Sequence, residues 1–467
     1  MRLDTEKPAN YICQTLDFRR DVFEKIVIKD SDQIWLKASL KDVKKVVIIA
    51  SASRSGSSLL FAILNKIPRV YSLSGESVPF YKLNGLSSYA FASDEIPQEV
   101  SERRDYWFGL SRDFLSDFTL SKYEDDIFKV EKMLEQYIDS LALRFPLQWP
   151  GVFFSYEIFM RLARQAYEAY LKTHKRFCKE EFYLELIWFL RLEYKTINPY
   201  YYDIPCEMIQ RKFPKLKIPS GPPFSAITIE EPPFILLSPA KKVSESDLSE
   251  KILLLKSSAD SYRLSFFETL FPYADIKIIY LTRNPAASIN GLYDGWLHRG
   301  FFSHNLSAFL KTQNSGSKML EIVGYSDCYE WGKWWWKYDL PGGWQDYTQK
   351  HLEEVCAFQW LSANKAIRGY LKKSQKKYCW VKYENMISNL ELRKKEINKI
   401  LDFMGLGSEA IEQLSLDKLP IVQATQVPRV YRWKKRKNII LPLLEDSKIY
   451  EMAAELGYDK NNNEEWL

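Results

Sequence analysis

Residues 45–50 read KVVIIA, one lysine followed by an unbroken apolar run. That is the pattern of a strand buried on both faces of a parallel sheet. Ser51–Ser58 is a loop of small residues, Leu59–Lys66 carries apolar residues at helical spacing, and Arg69–Leu73 reads as a second short strand. Strand, loop, helix and strand open a βαβ unit. The alternation returns further on. Lys251–Leu255 (KILLL) and Lys277–Leu281 (KIIYL) predict strands with an amphipathic helix, Tyr262–Phe271, between them, and Tyr378–Lys382 predicts a last strand. The expected fold is α/β, a mostly parallel central sheet flanked by helices.

Between about 85 and 245 the period changes. Glu124–Arg144 and Tyr156–Leu192 place apolar residues at i, i+3 and i+4, and Pro-rich connectors such as Ile218–Pro223 and Glu231-Pro232-Pro233 follow. This predicts a large helical insertion in a domain spanning 43–467. Residues 1–42 read as a polar N-terminal extension with a short helix near Phe18–Ile26.

Composition narrows the partners. Of 467 residues 46% are apolar, ample for a sizeable core. The net charge of +6, from 66 basic and 60 acidic residues, suits an anionic ligand but is too small to imply nucleic acid. Six scattered cysteines form no C-x-x-C and no Cys/His spacing, so neither a zinc site nor a disulfide framework is expected, and no other metal site is signalled. Met1–Gln14 lacks an apolar core and no run approaches ~18 apolar residues. The expectation is a cytoplasmic protein without a transmembrane segment.

Two loops carry candidate chemistry. Ser53-Arg54-Ser55-Gly56-Ser57-Ser58 joins a buried strand to a helix, so backbone N–H groups, hydroxyls and the Arg54 guanidinium converge on whatever sits above the strand. It lacks the G-x-x-x-x-G-K-[ST] of a Walker A loop. Arg283-Asn284-Pro285 ends another strand, where open α/β sheets bind ligands, and Pro285 suits a first helical turn. Alone, the first also reads as a Ser/Gly turn and the second as a helix cap with a solvated arginine. Together they suit a nucleotide with anionic groups at both ends.

Here the sequence resembles the PAPS-dependent sulfotransferases, enzymes that use 3′-phosphoadenosine-5′-phosphosulfate. Arg54–Ser58 matches the family's 5′-phosphosulfate loop, [RK]-[ST]-G-[ST]-[ST], and Arg283–Pro285 its 3′-phosphate motif, R-[ND]-P. Leu254-Leu255-Lys256, Val381-Lys382-Tyr383-Glu384-Asn385 and Tyr431-Arg432-Trp433-Lys434 resemble later elements in the family's order. The resemblance implies a P-loop-NTPase-like sulfotransferase fold and covers about 45–85 and 250–445. It assigns Arg54, Ser55, Gly56, Ser57, Ser58, Arg283, Arg432, Trp433 and Lys434 to PAPS, or its product PAP.

There are departures. Gly291 stands where the family places a serine, and Ser288, one turn earlier, is the candidate substitute. Lys256-Ser257-Ser258 lacks the histidine that serves many soluble members as base. Glu76, after the second strand, matches the base of carbohydrate- and protein-modifying relatives, and His298 is its rival. Lys256 and Arg54 are expected to stabilise charge during transfer. Trp331, Trp334, Trp335, Trp336, Tyr338 and Trp344 either line an acceptor channel or pack as a core. The expected function is sulfuryl transfer to a hydroxyl of a small-molecule, lipid or carbohydrate acceptor. The alternatives are a P-loop-type kinase and an inactive nucleotide-binding protein of this fold.

Overall fold

Strand β1 (Lys45–Ala50) sits inside the sheet because its side chains need apolar cover on both faces. Val46, Ile48 and Ala50 enter one core, while Val47 and Ile49 enter the other. This computed structural model describes residues 8–87, 91–101, 107–122, 131–224, 226–312 and 319–467. The remaining strands are β2 (Val70–Leu73), β3 (Phe118–Lys122), β4 (Ala240–Lys242), β5 (Ile252–Lys256), β6 (Asp275–Thr282), β7 (Phe302–Asn305), β8 (Trp335–Lys337) and β9 (Tyr378–Lys382). Among the described residues the main sheet has seven strands, ordered β4-β3-β2-β5-β1-β6-β9, and β7 and β8 form a separate antiparallel pair.

The expected α/β architecture is therefore present. The run β2-β5-β1-β6-β9 is parallel. Helices Pro285–Trp296 and Leu352–Ser374 cover one face, and Ser57–Leu64 and Leu390–Met404 cover the other. Right-handed crossovers need such cover on both sides.

The insertion is mainly helical and has its own core. Helices Glu131–Gln148, Tyr156–Leu171 and Lys179–Glu193 pack through Phe145, Phe159, Ala163, Phe182 and Ile187. The single helical pattern over 156–192 is two helices, broken at 172–178, where the polar run Lys172-Thr173-His174-Lys175-Arg176 lets the chain reverse. Residues 124–130 of the other predicted helix lie outside the described residues. The insertion also contributes two strands that the pattern did not announce. β3 and β4 extend the sheet edge antiparallel beyond β2, in segments too short to show an alternation.

The N-terminal helix runs from Pro8 to Lys29, longer than the segment Phe18–Ile26 suggested. Its Val22, Phe23 and Ile26 are buried in the insertion's core. Arg19 Nη2 meets Asp113 Oδ1 at 2.9 Å with both side chains buried. No described helix is long and apolar enough to cross a membrane.

Candidate active site

The loops that follow β1, β2, β5 and β6 meet at the carboxyl edge of the sheet, the position where open α/β sheets hold ligands. After β1 the chain turns through Arg54, at φ +64°, and Gly56, at φ +96°, into the helix Ser57–Leu64. The N–H groups of that first turn have no intrahelical partner and face the cleft with the positive end of the helix dipole. Gly56 has no room for a side chain: a Cβ there would run into the Tyr383 ring. Gly56→Ala is expected to destabilise the fold by about 2 kcal/mol or more, through backbone strain and displacement of that ring. Denaturant unfolding would measure it, and an unchanged midpoint would refute it.

Arg283, at the end of β6, reaches across and donates from Nη1 to the Arg54 carbonyl at 3.0 Å. Its guanidinium lies 4.7 Å from the centre of the Tyr383 ring. Burial pushes its pKa down, Tyr383 and Glu384 oppose that, and its Nε has no hydrogen-bond partner. Neither Arg54 nor Arg283 has a carboxylate within ion-pair distance among the described residues. Two partly buried arginines without an ion-pair partner make this end of the cleft suited to an anion. The loop after β6 is held by Glu384, whose Oε1 accepts from the Asn284 backbone N–H and Nδ2, both at 2.8 Å. Asn284 in turn caps the helix Pro285–Trp296 through the Ala287 N–H at 2.7 Å.

On the other side of the cleft, Lys256 from the end of β5 donates to Glu76 from the loop after β2. Thus Arg54, Gly56, Ser57, Ser58, Glu76, Lys256, Arg283 and Arg432 line one cleft of about 410 Å³.

The family model for the sulfotransferase domain matches residues 44–426. The chain belongs to the sulfotransferase family. Two solved structures resemble this sulfotransferase only slightly overall. One is the sulfotransferase domain from the curacin biosynthetic pathway, at 13% identity and a TM-score of 0.31, with 89% of this chain and 99% of that chain covered. The other is a sulfotransferase from Mycobacterium tuberculosis H37Rv, at 10% identity and a TM-score of 0.30, with 92% and 84% covered. No curated protein matches the chain.

Several residues singled out in the sulfotransferase sequence lie away from the cleft wall. Ser288 is fully buried beneath the loop, its Oγ 3.5 Å from Ser55 Oγ. Gly291 packs against Arg54, whose Cβ would be 3.2 Å from a Cβ at that position, so the helix leaves little space for the family's serine. His298 accepts from the Gly300 N–H at 3.1 Å and packs beside Phe301, outside the cleft lining. Burial, then Lys337 and Arg299, bring its pKa down to about 4. Trp433 is buried with its indole N–H on the Trp466 carbonyl at 3.0 Å, and Lys434 pairs outward with Glu464 at 2.6 Å. The turn Arg432–Arg436 directs only Arg432 to the cleft, held with Arg436 by the buried Asp294. The tryptophan cluster is mostly core. Trp335, Trp336 and Trp344 are buried, and Tyr338 alone of that group lines the cleft.

The sequence reading missed the strap Leu419–Val430, whose irregular chain crosses the cleft. The Gln423 carbonyl accepts from Arg54 Nη1 at 3.0 Å, and Gln423 Oε1 accepts from Ser58 Oγ at 2.9 Å. It also missed Glu230 and Glu231, taken only as part of a Pro-rich connector. Glu230 accepts from Arg144 Nε at 2.6 Å and from the Ile235 N–H at 2.8 Å.

Glu231 lines the cleft near Glu76 and accepts from the Ser303 hydroxyl. Desolvation, then the Glu76 charge, push its pKa up to about 7. A carboxyl raised in the folded state keeps its proton longer than in the unfolded chain, so its contribution to stability declines as pH rises through that range. Glu231→Gln is expected to raise Tm more at pH 8 than at pH 5. Equal shifts at both pH values would contradict this.

Proposed function

We propose that this sulfotransferase moves a sulfuryl group from PAPS to an acceptor hydroxyl, releasing PAP. The observation that carries the reading is that Arg54 and Arg283 meet in the cleft with no carboxylate at ion-pair distance among the described residues, Arg283 donating to the Arg54 carbonyl. In this reading Arg283 binds the 3′-phosphate, while Arg54, Ser57, Ser58 and the first-turn N–H groups bind the 5′-phosphosulfate. Gly56 admits the donor's close approach, with Ser55 and Ser288 supporting the loop from beneath. Arg432 closes the site from the strap side, held by Asp294, while Trp433 and Lys434 take no direct part.

Glu76 removes the acceptor's proton as the hydroxyl oxygen attacks sulfur. The bond between sulfur and the bridging oxygen breaks, and PAP leaves with the electron pair. Lys256 is bonded to Glu76 in the resting site and stabilises charge on the bridging oxygen during transfer. No step in this scheme calls on a metal. Glu76 is favoured over His298 because it lines the cleft beside Lys256.

The matched span 44–426 crosses the insertion, which supports reading 43–467 as one catalytic domain interrupted at about 85–245. A cytoplasmic setting belongs to the same proposal, supported by six cysteines held as free thiols.

Thermal unfolding with added nucleotide tests the donor. PAP without metal is expected to raise Tm in a concentration-dependent way, while ATP with Mg²⁺ has little effect. Stabilisation by ATP with Mg²⁺ alone would favour phosphoryl transfer. Silence toward both would sink the reading.

A further inference from the structure

The cleft does not end at Glu76 and Lys256. A second, larger cleft of about 1030 Å³ shares Ser58, Glu76 and Lys256 with the first and runs on between the helix Ser57–Leu64 and the insertion. Its volume is at the upper end for small-molecule sites. We infer that this is the acceptor channel, and that it takes an alcohol with an extended apolar body whose hydroxyl lies at Glu76. The inference rests on the sulfuryl-transfer reading and adds the class of acceptor to it.

The argument starts from what lines the walls. Phe61 comes from the helix after the phosphate loop, Leu73 from the end of β2, Met208 and Leu236 from the insertion, and Ile421 and Val422 from the strap. These elements are far apart in sequence, yet each presents an apolar side chain to the same space. Asn65, Lys66, Ser74, Thr119 and Gln423 also line the cleft, so the apolar side chains just named, and not the whole lining, are what favours an apolar body. An alkyl or isoprenoid-like body gains from the same walls in proportion to its length. Ile421 is 71% exposed and Val422 36%, although both line the two clefts. An apolar ligand passing beneath the strap would cover them.

The lining shared with the first cleft holds Glu76 and Lys256, the pair assigned to proton removal and charge stabilisation. The insertion adds Lys179, Glu180 and Asp203, where burial pushes the Asp203 carboxyl up. An amphipathic alcohol with a second polar group could meet these. The insertion thus supplies acceptor specificity, while the sheet edge supplies the donor site.

The test is titration of the PAP-bound protein with 1-butanol, 1-hexanol, 1-octanol and 1-decanol, and with glucose, by calorimetry. Affinity is expected to rise about three- to fourfold per added methylene, with glucose giving no heat of binding. Met208→Glu and Leu236→Glu are each expected to weaken 1-decanol at least tenfold while PAP binding stays as in wild type, which also shows that the variants are folded. Alkanol affinity independent of chain length, or glucose binding more tightly than 1-decanol, would overturn the channel and leave the donor reading standing. Unaltered 1-decanol binding in both variants would do the same. Failure of wild type to bind PAP would overturn the donor reading, and this inference with it.

Discussion

Lys256→Ala is expected to lower kcat for sulfuryl transfer by about two to three orders of magnitude, the loss typical when one charge-stabilising donor is removed from a transition state. The geometry gives the reason. Lys256 stands at the end of β5, beside β1, whose following loop is the proposed donor cradle, and its ammonium is already bonded to Glu76. Its side chain is only 10% exposed, so its charge is less screened than that of a surface lysine. On its removal the bridging oxygen, in the proposed scheme, loses a stabilising cation, and Glu76 loses its hydrogen-bond donor. PAP affinity should fall far less than kcat, because the arginines still hold the phosphates. Lys256→Arg should recover part of the rate, since charge is restored with altered geometry. Single-turnover kinetics with PAPS, beside calorimetry with PAP, separates the two effects. A variant with wild-type kcat would remove Lys256 from the mechanism.

Arg283→Ala is expected to weaken PAP at least 30-fold, equivalent to about 2 kcal/mol, because a partly buried guanidinium paired with phosphate is among the stronger contacts a site can make. In the free protein Arg283 is half-buried, its Nε is buried and unpartnered, and it is held in place by the Arg54 carbonyl and the Tyr383 ring. That arrangement is unfavourable without an anion and is relieved by one. The loss should be specific to the 3′-phosphate. Adenosine 5′-phosphosulfate, which lacks that group, should bind wild type and variant with similar affinity. Calorimetry with both nucleotides reads the difference. Equal weakening of both would mean that the substitution had disrupted the loop, and no weakening would place the 3′-phosphate elsewhere.

The two phosphate-type loops were legible because each follows a strong local signal. KVVIIA and KIIYL are long enough in apolar residues to be read as buried strands, so the residues just after them had to stand at the sheet edge. Lys256 was legible for the same reason. Glu76 rested on its place after the second strand together with the family resemblance, and its contact with Lys256 joins residues 180 positions apart. Such a contact leaves no periodic trace in sequence. The segment Arg432–Lys434 shows the opposite failure. Its composition suggested three ligand residues, but a tight turn sends neighbouring side chains in different directions, and only Arg432 faces the cleft. Gln423 and Glu231 were invisible for another reason. Each lies in an irregular segment with no repeating pattern, and each has its importance only from what stands opposite.

Local physics in the chain therefore determined strands β1, β2, β5, β6 and β9, the helices that cover them, and which residues follow β1 and β6 at the sheet edge. Those features depend on hydrophobic period and on glycine, serine and proline at particular positions, all of which act between near neighbours. The tertiary structure alone decided which arginines lack an ion-pair partner, that Gly291 packs against Arg54, that His298 lies outside the cleft lining, and that the insertion and the strap line a cleft with the sheet edge. Those outcomes depend on close packing and charge across hundreds of residues. The energy of a buried side chain is set by whatever partner the fold brings against it, and that partner is not encoded in its neighbours along the chain.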